Sequence, residues 1–207
     1  RIRDLIISVF IMAITTVIFP MLSRAFSQED NLQVKRIMGQ GINIRLIITV
    51  PATTGILILA EPMVRIFFER GAFDSTATTM TSQALIFYSL GLVGASLRLM
   101  LNKVFYSLQD TKTPMLNGAL AVGLNIVLNL IFIRFMAHSG LALATSISAT
   151  FTTLLLFLSL RKKIGPMGLK KYLICFFKTL FASIIMGIIV YFLYYGLTAK
   201  FISSSIG

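Results

Sequence analysis

The sequence predicts an all-α membrane protein, a polytopic bundle of about six transmembrane helices. Hydrophobic residues make up 57% of its 207 residues and charged residues only 13%, against roughly 45–50% and 25% in soluble domains. The apolar residues fall in six runs near the roughly 20 residues that a spanning helix needs. No alternation typical of a closed barrel is visible, and lipid cannot satisfy open backbone groups, so helices are predicted.

The six runs, here called segments A to F, lie at residues 5–22, 42–60, 83–106, 115–136, 140–160 and 172–197. Segment B has Pro51 in its middle, where a proline bends a helix and nearby threonine hydroxyls can donate to the freed carbonyl. Segment D follows the polar turn QDTKTP at 109–114, and Pro114 suits the first turn of a helix. Segment E is rich in Ala and Ser, which let helices approach closely.

The connections between the segments are short. Residues 24–41 are predicted to form a polar link, in which Leu32, Val34, Ile37 and Met38 could line one side of an interfacial helix. A turn is predicted at 69–79, and a minimal turn at 138–140 joins segments D and E. The basic loop at 161–171, RKKIGPMGLKK, contains helix-breaking glycine and proline and leads into segment F.

Lysine and arginine counts in alternate loops predict the orientation. The links A–B, C–D and E–F together hold nine, and the opposite side holds six. The first set of links is therefore predicted to be cytoplasmic, with both ends of the chain facing outward. The net charge of +12 fits anionic headgroups at a membrane surface, and because no basic stripe lies on a soluble segment, nucleic acid is not predicted as a partner.

No catalytic or metal signature is found in the sequence. It has no Ser/His/Asp set, no GxSxG and no phosphate-binding loop. The single histidine, His138, lies in a turn, and the single cysteine, Cys175, lies in an apolar run as a small buried residue would. No cluster of Asp, Glu or His could hold a metal, so neither an enzyme nor a bound cofactor is predicted.

Polar residues inside the spans are the candidate functional residues, because a charge there is costly and usually faces a cavity or a partner. The four candidates for a substrate cavity are Asn43 and Arg45 in segment B and Arg98 and Asn102 in segment C. Arg45 could instead extend to the cytoplasmic headgroups, as could Lys103. A second polar set in segment D shares one helical face and could contact substrate or, as the more favoured alternative, hold helices together by hydrogen bonds: Asn117, Asn125 and Asn129. The residues alone indicate a helical transporter-like bundle whose cations would attract an anionic substrate.

Several phrases resemble the MurJ (MviN) family, the lipid II flippases of the MOP exporter superfamily. The phrases are TTVIFPMLSR at 15–24, FFERGAFD at 67–74, FYSLQDTKTPM at 105–115 and GLALATSIS at 140–148, followed by the basic loop. The phrase at 105–115 is the most specific of them, and together they cover essentially the whole chain.

The resemblance implies a fourteen-helix protein with two lobes of six helices and an extra pair. Segments A to F would match helices eight to thirteen, so residues 1–207 would form most of the C-terminal lobe. The N-terminal lobe and the last helix would lie outside this chain, whose ends look cut. The implied function is movement of lipid II, an undecaprenyl-pyrophosphate-linked precursor, across the bacterial cytoplasmic membrane by alternating access. Membrane lipids would be further partners, and a coupling ion or the membrane potential could supply the energy.

The resemblance also implies cavity arginines that meet the pyrophosphate, for which the arginine fork is apt. One of them lies about eight residues before the proline of the helix that matches segment B. Counting back from Pro51 reaches Asn43, while Arg45 lies about 200° around the helix. Either Arg45 substitutes for the family arginine, or Asn43 serves as a neutral donor.

Other functions stay open at this point. The first alternative is another flippase or exporter of the MOP superfamily, moving a polysaccharide precursor or a drug. A drug exporter would need an acidic residue deep in a span, and no acidic residue of the sequence lies there. A membrane glycosyltransferase or acyltransferase, or a scaffold without transport, are more distant alternatives.

Overall fold

A computed structural model describes residues 12–71 and 73–204, with the side chains of 12–15, 137–138 and 197–204 left out. These residues fold into helices and short connections without a strand, which confirms the predicted all-α class. The helices are α1 Met12–Ser27, α2 Asn31–Phe68, α3 Ser75–Leu90, α4 Leu92–Ser107, α5 Lys112–Ile164 and α6 Leu169–Ser204.

The prediction that residues 24–41 form a polar link is wrong, because α1 continues to Ser27 and α2 begins at Asn31. Asp30 ends the short connection by accepting a hydrogen bond from the Gln33 N–H at 2.9 Å, as an N-cap residue does. Three of the residues predicted for an interfacial helix, Val34, Ile37 and Met38, are buried in the core, whereas Leu32 is 82% exposed. The apolar face of this stretch therefore packs on protein as the first turns of a spanning helix.

Segment C is bent where a single straight span was predicted. Gly91 separates α3 from α4, and the two helices meet at an angle of 43°. A Cβ at Gly91 would lie 2.6 Å from Ser146 Cα, so the missing side chain allows the bend to press against α5. Ser146 Oγ donates to the Phe87 carbonyl at 2.6 Å and thereby satisfies a carbonyl next to the break. The bend is thus held by a neighbouring helix.

The helical stretch α5 folds back on itself. As one straight helix of 53 residues it would be about 80 Å long, yet Asn117 Nδ2 lies 3.5 Å from Ser159 Oγ. Two limbs, α5a Lys112–Met136 and α5b Ser139–Ile164, each have the length and composition of a span. The reversal at 137–138 agrees with the predicted minimal turn, although the side chain of His138 lies outside the described residues.

Within the described residues, four helices could cross a membrane, or five if the bent pair α3–α4 is one span. They match segments B to F. Residues 5–11 of segment A lie outside the described residues, and the remainder forms α1. The division into six spans stays a prediction.

The apolar core lies at the end of the bundle where the basic loops meet. It joins α1, α2, α4 and α5b through residues such as Leu22, Met38 and Phe105. The QDTKTP turn closes this end: Asp110 accepts hydrogen bonds from the N–H and hydroxyl of Thr113 and pairs with Lys163 at the end of α5b. These contacts hold the pKa of the Asp110 carboxyl well below its ordinary range, first through the Lys163 hydrogen bond and then through Thr113.

Candidate functional site

Arg45 lies inside the helical bundle, in the contact between α2 and α4. Its side chain is fully buried, and its Nη1 donates to the Ser96 carbonyl at 2.7 Å. A buried cation needs such a partner, because an uncompensated charge in a medium of low dielectric is very costly. Arg45 therefore cannot meet a ligand in a cavity without a rearrangement of α2 and α4.

Asn43 and Arg98 are not brought together by the fold. Asn43 lies two residues before Arg45 in α2, and Arg98 lies two residues after Ser96 in α4. Two residues correspond to a rotation of about 200° around a helix. Both side chains therefore point away from the α2–α4 contact, to opposite sides of the helix pair. Both are half-buried. The Asn43 Oδ1 atom is buried and accepts no hydrogen bond from the described residues.

The open side of α4 carries a polar strip. Arg98, Asn102 and Tyr106 follow one another at intervals of four residues and so share one helical face. Arg98 and Asn102 are half-buried, and Tyr106 is 41% exposed. This strip of a guanidinium, an amide and a phenol is what we call the α4 strip, and it can donate several hydrogen bonds to an anion.

Lys103 stands next to the α4 strip, on the side of α1. Its ammonium lies 5.4 Å from the centre of the Phe19 ring and 5.9 Å from that of Tyr106. Such distances are typical of cation–π contacts. The rings of Phe19 and Tyr106 thus hold the Lys103 ammonium beside the α4 strip. These contacts, and not only an extension toward the headgroups, explain its position.

Among the described side chains, no carboxylate forms an ion pair with the α4 strip. The ion pairs among the described side chains join Arg65 to Glu61 and Glu69, and Lys163 to Asp110. Arg98 takes part in none of them. The strip is therefore a cationic surface, with the chemistry to bind a phosphate or another anion.

Two polar residues were missed by the sequence reasoning. Tyr106 was overlooked because an aromatic residue near a span end is typical of an interface, although its spacing from Arg98 and Asn102 would have placed it in the strip. Lys178 lies in α6 within the candidate span Leu169–Gly196, and it lines a groove against α2. A lysine in the apolar run of segment F was the signal that could have found it.

The asparagines of segment D contact other helix residues. Asn129 Nδ2 donates to Asn125 Oδ1 at 3.0 Å, and Asn117 is buried against α5b. Only the contact of Asn117 joins two limbs, whereas the bond between Asn125 and Asn129 lies within α5a, so a role of these two in holding helices together stays a prediction. In the part of the chain that the structure describes, no group of three His, Cys, Asp or Glu side chains could hold a metal ion.

The chain is similar to one family of proteins. A sequence model described as "Lipid II flippase MurJ" matches residues 1–206. A "Probable lipid II flippase MurJ" from Vibrio cholerae is 39% identical over 157 residues, which are 76% of this chain and 30% of that protein. A relative of the same name from Haemophilus influenzae is 33% identical over 198 residues, 93% of this chain and 39% of that protein.

A solved structure shares the fold. "Lipid II flippase MurJ, inward closed conformation" superposes with a TM-score of 0.71 at 26% identity, over 96% of this chain and 45% of that one. The chain therefore spans between about a third and a half of the length of the proteins it matches.

Proposed function

The chain belongs to the lipid II flippase MurJ family, and on that premise we propose that it is the C-terminal lobe of a transporter for lipid II. It is a multi-pass helical protein of the bacterial inner membrane, and its family consists of transporters and not of enzymes. Within the complete protein, this lobe and an N-terminal lobe of the same chain would enclose a cavity. Lipid II would cross the membrane there by alternating access.

The main support for this proposal is the cationic character of the α4 strip. Its residues lie on the side of α4 that faces away from α2, and none of the described carboxylates forms an ion pair with Arg98. A pyrophosphate is a dianion or more, and guanidinium and amide donors bind its oxygens through charge-assisted hydrogen bonds. We assign Arg98 and Asn102 to direct contact with the pyrophosphate, with Tyr106 as a further donor.

The two candidates in α2 have different proposed roles. Arg45 would be a positioning residue that holds α4 in place through its hydrogen bond to the Ser96 carbonyl, since its own side chain is fully buried. Asn43 has a buried acceptor atom that no described residue satisfies, but it lies away from the α4 strip. Asn43 would contact substrate only if the complete cavity extends around α2 toward α6.

Another exporter of the same superfamily is the less favoured candidate. A cation-coupled drug exporter would need a carboxylate deep inside the membrane. The described carboxylate nearest to that position is Glu61 in the last two turns of α2, and it is exposed and paired with Arg65. The cationic strip instead suits an anionic cargo. A polysaccharide precursor linked to the same pyrophosphate lipid would share this chemistry, and it is separated from lipid II only by the sugar-peptide headgroup.

Depletion of the full-length parent in cells tests the proposal. Lipid II exposed on the outer leaflet is measured before and after depletion, in a strain without redundant flippases. We expect exposure to fall while total lipid II rises, and expression of the full-length protein to restore both. Unchanged exposure after complete depletion would rule out lipid II transport.

A further inference from the structure

A groove lies along the contact between α2 and α6, on the side of α2 opposite Arg45. It is open to the surroundings, has a volume of about 380 Å³ and is lined by Ile47, Pro51, Lys178, Thr179, Ala182, Ser183 and Met186. Apart from Lys178 and two hydroxyl groups the lining is apolar, and Ser183 Oγ is already occupied with the Thr179 carbonyl at 2.7 Å. The volume is within the range of small-molecule sites. The groove thus combines an apolar wall with one cation.

Two close approaches between α2 and α6 show which residues of the two helices lie at the same depth. A Cβ on Gly39 would lie 3.2 Å from Tyr172 Oη, and one on Gly187 would lie 3.0 Å from Thr54 Cγ2. Because both contacts pair later residues of α2 with later residues of α6, the helices run parallel. Lys178 therefore lies level with the stretch of α2 around Arg45 and Ile47.

The side chain of Lys178 leans toward the cytoplasmic headgroups. Lys178 lies seven positions after Lys171, or about 10 Å deeper along α6. Side chains of a helix tilt toward its N-terminus, and α6 begins at the basic loop predicted to be cytoplasmic. Lysine can extend its stem along apolar surface and keep its ammonium near the headgroups. Its position thus suits a phosphate of the cytoplasmic leaflet.

Lys178 forms no ion pair with a described carboxylate. The ion pairs formed by the described residues involve other side chains, and Lys178 is exposed. A cation within a span is costly unless an anion or water compensates it. Anionic lipid attracts such a lysine and supplies the missing charge.

Pro51 adds an acceptor beside the cation. Because proline has no N–H, the carbonyl of Ile47 lacks its helical donor. The threonine hydroxyls around Pro51 donate to the carbonyls of Arg45, Thr49 and Val50. Since Ile47 itself lines the groove, we infer that its carbonyl is available to a ligand hydroxyl.

We propose that the groove between α2 and α6 binds a phosphatidylglycerol molecule of the cytoplasmic leaflet. Its phosphate pairs with Lys178, a glycerol hydroxyl of its headgroup donates to the Ile47 carbonyl, and one acyl chain lies along Ala182 and Met186. This site is separate from the α4 strip and holds a bilayer lipid, so the inference does not depend on which substrate is transported.

Native mass spectrometry of the purified full-length protein tests the site by titration with phosphatidylglycerol. We expect Lys178→Gln to weaken binding about fivefold, as removal of one lysine from an anionic lipid surface does, and Lys178→Arg to retain it. Lys170→Gln is the matched control, an exposed lysine of the same helix outside the groove, and should leave affinity unchanged. Phosphatidylcholine and soluble glycerol phosphate should bind weakly to all variants.

Three outcomes would overturn the inference. They are unchanged affinity in Lys178→Gln, an equal loss in Lys170→Gln, and equal binding of phosphatidylcholine. A photo-crosslinking amino acid at Ala182 of the full-length protein gives an independent readout. Crosslinks to phospholipid agree with the proposal, whereas crosslinks to another segment of the same chain, to a second copy or to lipid II contradict it.

Discussion

Arg45 and Lys178 lie at a similar depth on the two sides of α2, yet their surroundings are opposite. Arg45 is fully buried and donates to the Ser96 carbonyl, whereas Lys178 is exposed in an apolar groove without an ion pair to a described carboxylate. The difference follows from the contacts of the helix. At Arg45 the surface of α2 is sealed by α4, whereas Lys178 lies at the open edge of the extensive contact between α2 and α6.

The comparison shows that a charge within a span is not by itself a ligand site. An arginine sealed against a neighbouring helix stabilises the packing of the bundle, and a cation on an open face is available to an anion. Arg98 belongs to the second kind, on the far side of α4. The same bundle thus contains a structural cation, a proposed substrate cation and a proposed lipid cation.

Replacement of the buried cation should have the largest effect. Arg45→Ala removes a large buried side chain and leaves the Ser96 carbonyl without its donor, which together should cost about 2–5 kcal/mol. Lys178→Ala should change stability by less than about 0.5 kcal/mol, since exposed positions tolerate substitution. Thermal unfolding of the two full-length variants in detergent compares them. Equal losses of stability would remove the distinction between the sealed and the open side of α2.

Replacement of the open cation on α4 should affect substrate and leave the fold intact. Arg98→Ala removes a charge-assisted hydrogen bond worth about 1.5–3 kcal/mol, so lipid II affinity of the full-length protein should fall roughly ten- to hundredfold. Asn102→Ala should cost less because its hydrogen bonds are neutral. Arg134→Ala, an exposed arginine of α5a, is the control. If Arg98→Ala and Asn102→Ala bind and complement like the wild type, the assignment of the α4 strip is wrong.

The bend at Gly91 gives a third test, because it aligns the α4 strip. Gly91→Ala places a Cβ 2.6 Å from Ser146 Cα, and such overpacking typically costs about 1–3 kcal/mol. At Gly55 a Cβ would meet no atom within 4 Å, so Gly55→Ala should be neutral or slightly stabilising. Unfolding temperatures of both variants measure the difference. A neutral Gly91→Ala would mean that α4 and α5b are not in close contact.

The smallest effect is expected at the cytoplasmic end, with a defined pH dependence. The lowered pKa of Asp110 means that its contribution to stability is complete above the unfolded pKa of about 4 and decreases as the pH falls below that value. Asp110→Asn should lower stability by less than about 1 kcal/mol at pH 7, since Lys163 is partly exposed. The difference between wild type and variant should be constant from pH 7 to 5 and should shrink below pH 4. A difference that grows on acidification would contradict the ion pair.

Apolar length and loop charge were sufficient to predict the class, segments B to F and the polar turns, because each of these features is local. Pro114 lies in the first turn of α5 as expected, and α5b ends at Ile164, within the basic stretch 161–171. The continuity of α2 through Val34 and Ile37 was missed, since a polar stretch with buried apolar positions looks the same on a membrane surface as against protein. The bend at Gly91 was missed because it depends on Ser146, which is distant in sequence.

The candidate site was predicted less completely than the fold. Composition identified Arg45 and Arg98 as unusual, but only the packing of α2 on α4 shows that the first is sealed and the second is open. Tyr106 joins Arg98 and Asn102 through helical spacing alone and was available in the sequence. The proposed role of Lys178 depends on the groove that α6 forms with α2, and no local sequence pattern predicts that groove.

Reconstituted transport tests the central claim most directly. The purified full-length protein is inserted into liposomes with labelled lipid II in one leaflet, and the fraction of lipid II that becomes accessible on the other side is measured over time. We expect translocation by the full-length protein and none by residues 1–207 alone, because the proposed cavity needs both lobes. No translocation by the full-length protein above protein-free liposomes, or transport by residues 1–207 alone, would contradict it.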